Sequence, residues 1–452
     1  VSLLVFMAGL AFAAPLTESD VVAAVDRRVP ELAAALAKQA EAEGKALKSR
    51  GAFDPKLKSK LDSELAGPYE RTTFDSALGV ETPWGVGVEA GYRLGVGDFP
   101  TYYGAYDTLD GGELRLGLTA SLLQDLGMPQ ARADRLVADA LATAAAEGAQ
   151  DKRQQLTGKA VATYWKWVAT GEKVALAQEL LSLARTRQAG IEARVAEGAL
   201  PRLDQVDNAR VVLEREAELR GADREARQAG IALSWYLRGP DAAPAAPDPA
   251  DRPEPTSATT ATAGPPADTL VPRALSRRPD IAALTAVVTA AEVELRRAGV
   301  ALLPRLDGRA GVAQDRGAGD EKLGKTELDV GLTLEVPLAF RKGRGERARA
   351  RAALERVEAE RRGRTDRVRL DVEAAVVARD AALERWRLAE QGAAQAAEVA
   401  RLERRAFELG NSDVFRLTKR EEALAKARKT RIEAHLEYRL AESALRTATA
   451  DW

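Results

Sequence analysis

Residues 327–337 read Glu-Leu-Asp-Val-Gly-Leu-Thr-Leu-Glu-Val-Pro. Leu328, Val330, Leu332, Leu334 and Val336 alternate with Asp329, Gly331, Thr333, Glu335 and Pro337. A period of two, with one face apolar and the other polar or small, predicts a β-strand. Upstream, SRRPDIAALTAVVTAAEVELRRAGVALLPRLDGRAG (276–311) predicts a helix that ends in Leu-Pro and then a first strand. Downstream, the chain enters another helix. A strand of ~9–11 residues is what a tilted barrel needs to cross a bilayer.

Working outward, three more stretches alternate. Leu57, Ser59, Leu61, Ser63 and Leu65 face away from Lys56, Lys58, Lys60, Asp62 and Glu64. One face is fully charged and must meet water; the other can meet lipid or a packed layer. Residues 84–95 repeat the pattern, as do Leu114, Leu116, Leu118, Ala120 and Leu122. Between the last two lies an aromatic stretch (Phe99, Tyr102, Tyr103, Tyr106) that reads as a surface loop or an interfacial girdle. Elsewhere the pattern is helical. Helices are expected over 17–50, from Gln130 to about Gly198, from near Asp204 to Leu237, and from Ser276. A helix from Gly345 to Leu409 follows, and a last one runs to Ala448. The Gly345 helix has about 65 residues, hence about 100 Å at its rise per residue. No globular domain needs a helix that long.

Composition narrows the functions. Of 452 residues, 30% are charged and 5% aromatic, which suits long helices better than an aromatic core. A formal charge of -1 argues against a nucleic-acid binder. Cysteine is absent, so no disulfide framework or thiolate metal site is available. The single histidine, His435, is expected to pack or be solvated rather than to ligate. GVGVEA at 85–90 lacks the following helix of a dinucleotide site, and the arginines of 341–369 are interspersed with glutamates. No cofactor, no metal and no enzymatic activity are expected. The opening VSLLVFMAGLAFAAP has the length of a signal-peptide core and a small-x-small pattern at Ala11–Ala13, so residues 1–13 are expected to be a signal peptide.

The chain then divides into 14–238, a Pro/Ala/Thr-rich linker or insert at 239–270, and 271–452. Both larger parts run helix, strands, long helix, Gly-containing break, helix. The breaks are EGALPRLDQVD around Gly198 and ELGNSDVFRLTK around Gly410. Glycine after one helix and aspartate near the start of the next are what a tight helical hairpin needs. An internal duplication follows. Two strand pairs per chain give about four spanning strands, and single-chain barrels start at about eight. Strands left with open edges do not persist in lipid, so the barrel is expected to be shared between chains.

With RRPDIAALTAVVTAAEVELRRAGVALLPRLD, the junction LEVPLAFRKGRGERARARA and the hairpins at Gly198 and Gly410, the chain resembles the TolC-like outer-membrane efflux protein family. The resemblance covers nearly its whole length after residue 13. It implies an α+β membrane protein: a long antiparallel α-helical coiled-coil barrel continuous with a shared transmembrane β-barrel, four strands per chain and twelve per homotrimer. It implies a passive export channel in the outer membrane with its helical body in the periplasm. The partners implied are a periplasmic adaptor (membrane fusion protein), an inner-membrane pump and outer-membrane lipid, with no nucleic acid. By position, Asp204 and Asp207 match acidic residues that narrow such a pore. Asp204 also reads as a helix cap and Asp207 as a solvated first-turn acid. In the second hairpin Asp413 reads as a cap, and Arg416 and Lys419 depart from an acidic pattern, which leaves an Arg–Asp latch open. A periplasmic coiled-coil adaptor or scaffold without a barrel is the alternative.

Overall fold

A computed structural model describes residues 15–452 except 101–105, 240, 256 and 259–261. The expected signal segment 1–13, Tyr102 and Tyr103 lie outside the described residues. In chain order the elements are α1 (Glu18–Arg28), α2 (Pro30–Arg50), β1 (Lys56–Glu64), β2 (Arg71–Glu81), β3 (Val86–Gly97), β4 (Glu113–Ser121), α3 (Gln130–Ala196) and α4 (Arg202–Ser234). Then come α5 (Ala267–Arg277), α6 (Pro279–Val300), β5 (Arg305–Asp315), β6 (Glu327–Glu335), α7 (Arg341–Glu408) and α8 (Val414–Ala448).

The helices repeat closely between the halves. α1 and α5 have 11 residues each, α2 and α6 have 21 and 22, α3 and α7 have 67 and 68, and α4 and α8 have 33 and 35. The single helix expected over 17–50 is two helices, and the one expected from Ser276 is also split. In both places the cause is proline. Val29 (φ -74, ψ 120) and Arg278 (φ -66, ψ 117) are extended because Pro30 and Pro279 exclude the helical region for the residue before them. Each proline then opens the next helix, where its missing N–H costs nothing. Thr17 starts α1 with a capping box: its hydroxyl accepts from the Asp20 backbone N–H, and Asp20 accepts from the Thr17 N–H at 2.9 Å.

The strand count differs from expectation: among the described residues six strands, not four, form one antiparallel sheet in the order β1-β2-β3-β4-β5-β6. β2 was not expected. Its inward and outward sets alternate, but Thr72, Ser76, Thr73 and Asp75 dilute the contrast that marks a strand in sequence. The first half therefore supplies four strands and the second two.

The described chain forms two compact units. One takes residues up to Leu36, Gly148–Ile281 and Arg364–Trp452; the other takes Ala37–Glu147 and Ala282–Gly363 and holds the whole sheet. The first unit has three apolar cores. Leu16, Val21 and Val25 pack with Tyr164, Trp167 and Leu233; Leu270 and Ala274 pack with Val368, Val372 and Leu445; Trp386 packs with Leu383, Ala258 and Tyr438. Each fully buried large side chain contributes about 1.5–3 kcal/mol, so these clusters hold an otherwise Ala-rich unit together. Parts of the 239–270 segment join them. Ala258 is buried in the third core, Arg252 lies 4.9 Å above the Trp167 ring, and the Asp251 carbonyl accepts from the Leu16 N–H at 2.7 Å. His435 is packed, stacked on Trp386 at 4.4 Å.

The Arg-Arg-Pro-Asp run is a clamp. Arg278 makes paired hydrogen bonds to Asp280 at 2.6 and 2.9 Å, and it reaches the Thr447 and Ala448 carbonyls at the end of α8. Asp280 also accepts from Arg364 on α7 and from the Ile281 N–H. Burial alone would raise the Asp280 carboxyl. Its bonds to Arg278 and Arg364 outweigh that and hold it below its ordinary value. Nearby, burial first and the Asp280 charge second push Asp151 up.

Candidate channel site: a two-faced sheet and two helical turns

The sheet's register sorts side chains by chemistry across all six strands. One row runs Leu57, Leu78, Ala90, Leu116, Val312, Leu328; the next on that face adds Val80, Val88, Leu118, Ala310 and Val330. The opposite face carries Lys60, Asp75, Arg93, Glu113 and Asp315 in one row. There Asp75 accepts from Arg93 at 2.9 Å and from Arg115 at 2.7 Å. The apolar face is open: Leu116 is 48% exposed, Leu57 71% and Leu328 81%. An exposed apolar patch this continuous marks a surface that meets lipid or another protein. Among the described residues no helix is long and apolar enough to cross a membrane.

The two helical hairpins turn by one mechanism. At the end of α3, Gly198 has φ +77; its N–H donates to the Val195 carbonyl at 3.0 Å and the Ala199 N–H donates to Arg194 at 2.8 Å. At the end of α7, Gly410 has φ +76; its N–H donates to Phe407 at 3.1 Å and the Asn411 N–H donates to Ala406 at 2.8 Å. Both are Schellman closures, in which a glycine supplies the left-handed residue. Because the turns match, α4 and α8 can be aligned from them: Pro201 with Asp413, Leu203 with Phe415, Asp204 with Arg416, Asp207 with Lys419.

Asp204 is not the cap of α4. Pro201 holds that place with no side-chain bond, and Asp204 lies in the first turn, where the helix dipole favours an acid. Asp207 is exposed and pairs with Arg210 at 3.2 Å. Asp413 does cap α8, accepting from the Arg416 N–H at 2.7 Å, and the Arg416 side chain stays 3.6 Å from that same carboxylate. Within one chain, then, Arg416 pairs in its own turn and not with the other hairpin. Leu203 and Phe415 are exposed at matching positions.

What ties the hairpins together was not anticipated. Arg187 on α3 donates to Glu421 on α8 at 2.5 Å and to Asn208 on α4 at 2.5 Å. Arg404 on α7 donates to the other Glu421 oxygen at 3.2 Å. Asn208 also donates to the Ala184 carbonyl and to Gln188. Four helices meet at one buried polar cluster. No local signal marks it, because Arg187 and Glu421 are 234 residues apart.

No curated protein matches this sequence. Residues 270–451 match the family described as Outer membrane efflux protein. Solved structures match the fold along almost the full chain. A membrane protein from Pseudomonas aeruginosa is 19% identical, with TM-score 0.67, over 96% of this chain and 93% of its own. The outer membrane protein VceC from Vibrio cholerae is 17% identical, with TM-score 0.67, over 96% and 95%. The MtrE outer membrane channel of Neisseria gonorrhoeae is 16% identical, with TM-score 0.67, over 96% and 89%. The second half of this chain thus matches the outer membrane efflux protein family in sequence, and the chain as a whole shares the fold of these solved outer-membrane proteins.

Proposed function

We propose that this chain is one subunit of a homotrimeric outer-membrane duct, the passive exit of a tripartite efflux or type I secretion system. The sheet lies in the outer membrane and the long helices in the periplasm, where an adaptor and an inner-membrane pump deliver cargo. The observation that carries this reading is the two-faced sheet. An apolar, exposed face spans six strands while the other face holds charged pairs such as Asp75 with Arg93 and Arg115. Lipid outside and water inside satisfy both faces at once. A periplasmic adaptor without a barrel leaves the apolar face without a partner, which sets that alternative aside.

At the periplasmic end, the matched hairpins offer Asp204 and Asp207 in one turn and Arg416 and Lys419 in the other. Around a threefold axis these alternate in sign, so the constriction combines a cation-attracting set with a basic one rather than being purely acidic. Asp413 holds Arg416 in its place in that arrangement. The test is fractionation followed by reconstitution. Recovery in the outer membrane as a trimer, with discrete conductance steps in planar bilayers, is expected. Recovery as a monomer in the soluble periplasm would overturn the reading.

A further inference from the structure

The six-stranded sheet ends on β1 and β6, and among the described residues no strand pairs with their outer edges. Both terminal strands are nine residues long and both are more exposed than the strands inside. Leu61 on β1 is 70% exposed and Val330 on β6 81%, against 48% for Leu118 on β4. An open edge is a row of unpaired N–H and C=O groups, which lipid does not tolerate. We infer that the β6 edge of one copy pairs antiparallel with the β1 edge of the next, so that three copies close a barrel of eighteen strands, not twelve. The inference rests on the trimeric-duct reading above.

Strand polarity allows it. With six alternating strands, β1 and β6 run in opposite directions, and Lys56 and Glu335 lie at the same end of the sheet. Full-length antiparallel pairing then sets Lys56 opposite Glu335, Lys58 opposite Thr333 and Lys60 opposite Gly331, with Asp329 on the diagonal. Basic β1 meets acidic β6 on the watery face, and Leu57 and Leu61 meet Leu334 and Val330 on the lipid face. Opposite charges and apolar pairs at these positions favour the register. Two acid pairs also fall opposite, Asp62 with Asp329 and Glu64 with Glu327. Three of those four acids already hold a cation: Asp62 with Lys60 at 2.8 Å, Glu64 with Arg71 at 3.3 Å and Asp329 with Arg309 at 3.8 Å.

Twelve strands would need β3, not β1, to be the free edge. That strips β2 from a ladder running all eleven of its residues and breaks Asp75 from both Arg93 and Arg115. Eighteen strands give a lumen roughly one and a half times as wide, because barrel diameter grows about linearly with strand number. The channel would admit correspondingly bulkier cargo at its outer end.

The absence of cysteine makes disulfide trapping clean. Lys58→Cys would be combined in the full chain with Thr333→Cys, and separately with Gly331→Cys or Glu335→Cys to cover a shifted register. Glu89→Cys with Thr333→Cys probes a β3–β6 closure. After oxidation in membranes, covalent dimers and closed trimers from at least one Lys58→Cys pair, and none from the Glu89→Cys pair, are expected. A trimer on native gels that crosslinks only through Glu89→Cys, or through none of the pairs, overturns the eighteen-strand barrel and leaves the trimeric duct standing. So does a crosslink confined within one chain. A protein that is monomeric on native gels and uncrosslinked overturns both.

Discussion

Arg187 on α3 and Glu421 on α8 form an ion pair at 2.5 Å, with side chains only 8% and 13% exposed, that joins the two helical hairpins. Buried pairs are costly to break because the remaining partner is left charged and unpaired. Here the arginine also binds Asn208 and the glutamate also binds Arg404, so one substitution disturbs four helices.

Arg187→Ala should therefore cost about 3 kcal/mol locally, and the double variant Arg187→Met with Glu421→Leu should cost less. Hydrogen exchange of the α3–α4 turn is the measurement. Amides near Gly198 should exchange much faster in the single variant than in the double one. Equal protection in both would show that the pair does not hold the hairpins.

Charge at the turns should be read out by reversal potential. Asp204→Asn with Asp207→Asn should shift selectivity toward anions, and Arg416→Gln with Lys419→Gln should shift it the other way. If neither changes the reversal potential, these four residues do not line the constriction.

Gly198 and Gly410 have open space where a side chain would go, with no atom within 4 Å of an added Cβ. The cost of Gly198→Ala or Gly410→Ala is therefore purely that of the positive φ, about 1–2 kcal/mol each. Asn at either place should cost less, since it tolerates this region. Thermal unfolding of the four variants tests the order; Asn and Ala behaving alike would count against a backbone origin.

Asp280 should make the helical unit acid-sensitive. Its folded pKa lies below the ordinary 3.8, so its contribution is complete above that value and is lost as pH falls through the folded pKa. Asp280→Asn should cost about 3 kcal/mol at neutral pH, with the gap from the parent closing below pH 3.8. Asp151 has the opposite sign: its raised pKa weakens the fold at neutral pH and is relieved on acidification. Asp151→Asn should then leave neutral-pH stability unchanged or increase it. Melting curves from pH 3 to 8, a range of ordinary buffers around these carboxyls, compare the three proteins.

What the sequence determined by itself was local. Gly198 and Gly410 mark the turns because only glycine sits easily at a positive φ, and Asp413 caps α8 from three residues away. Leu328–Val336 declares its two faces because side chains alternate along any extended strand. The breaks at Val29 and Arg278 were also within reach, as each precedes a proline. β2 was less so, because Thr72, Thr73, Asp75 and Ser76 blur its alternation; missing it left five stretches, and the expectation of two matched strand pairs reduced these to four. Only the tertiary structure decided the strand order, the meeting of Arg187 with Glu421, and the reach of Arg278 to the end of α8. Those depend on which distant surfaces pack together. Packing is set by burial summed over many residues, so no single stretch of sequence carries it.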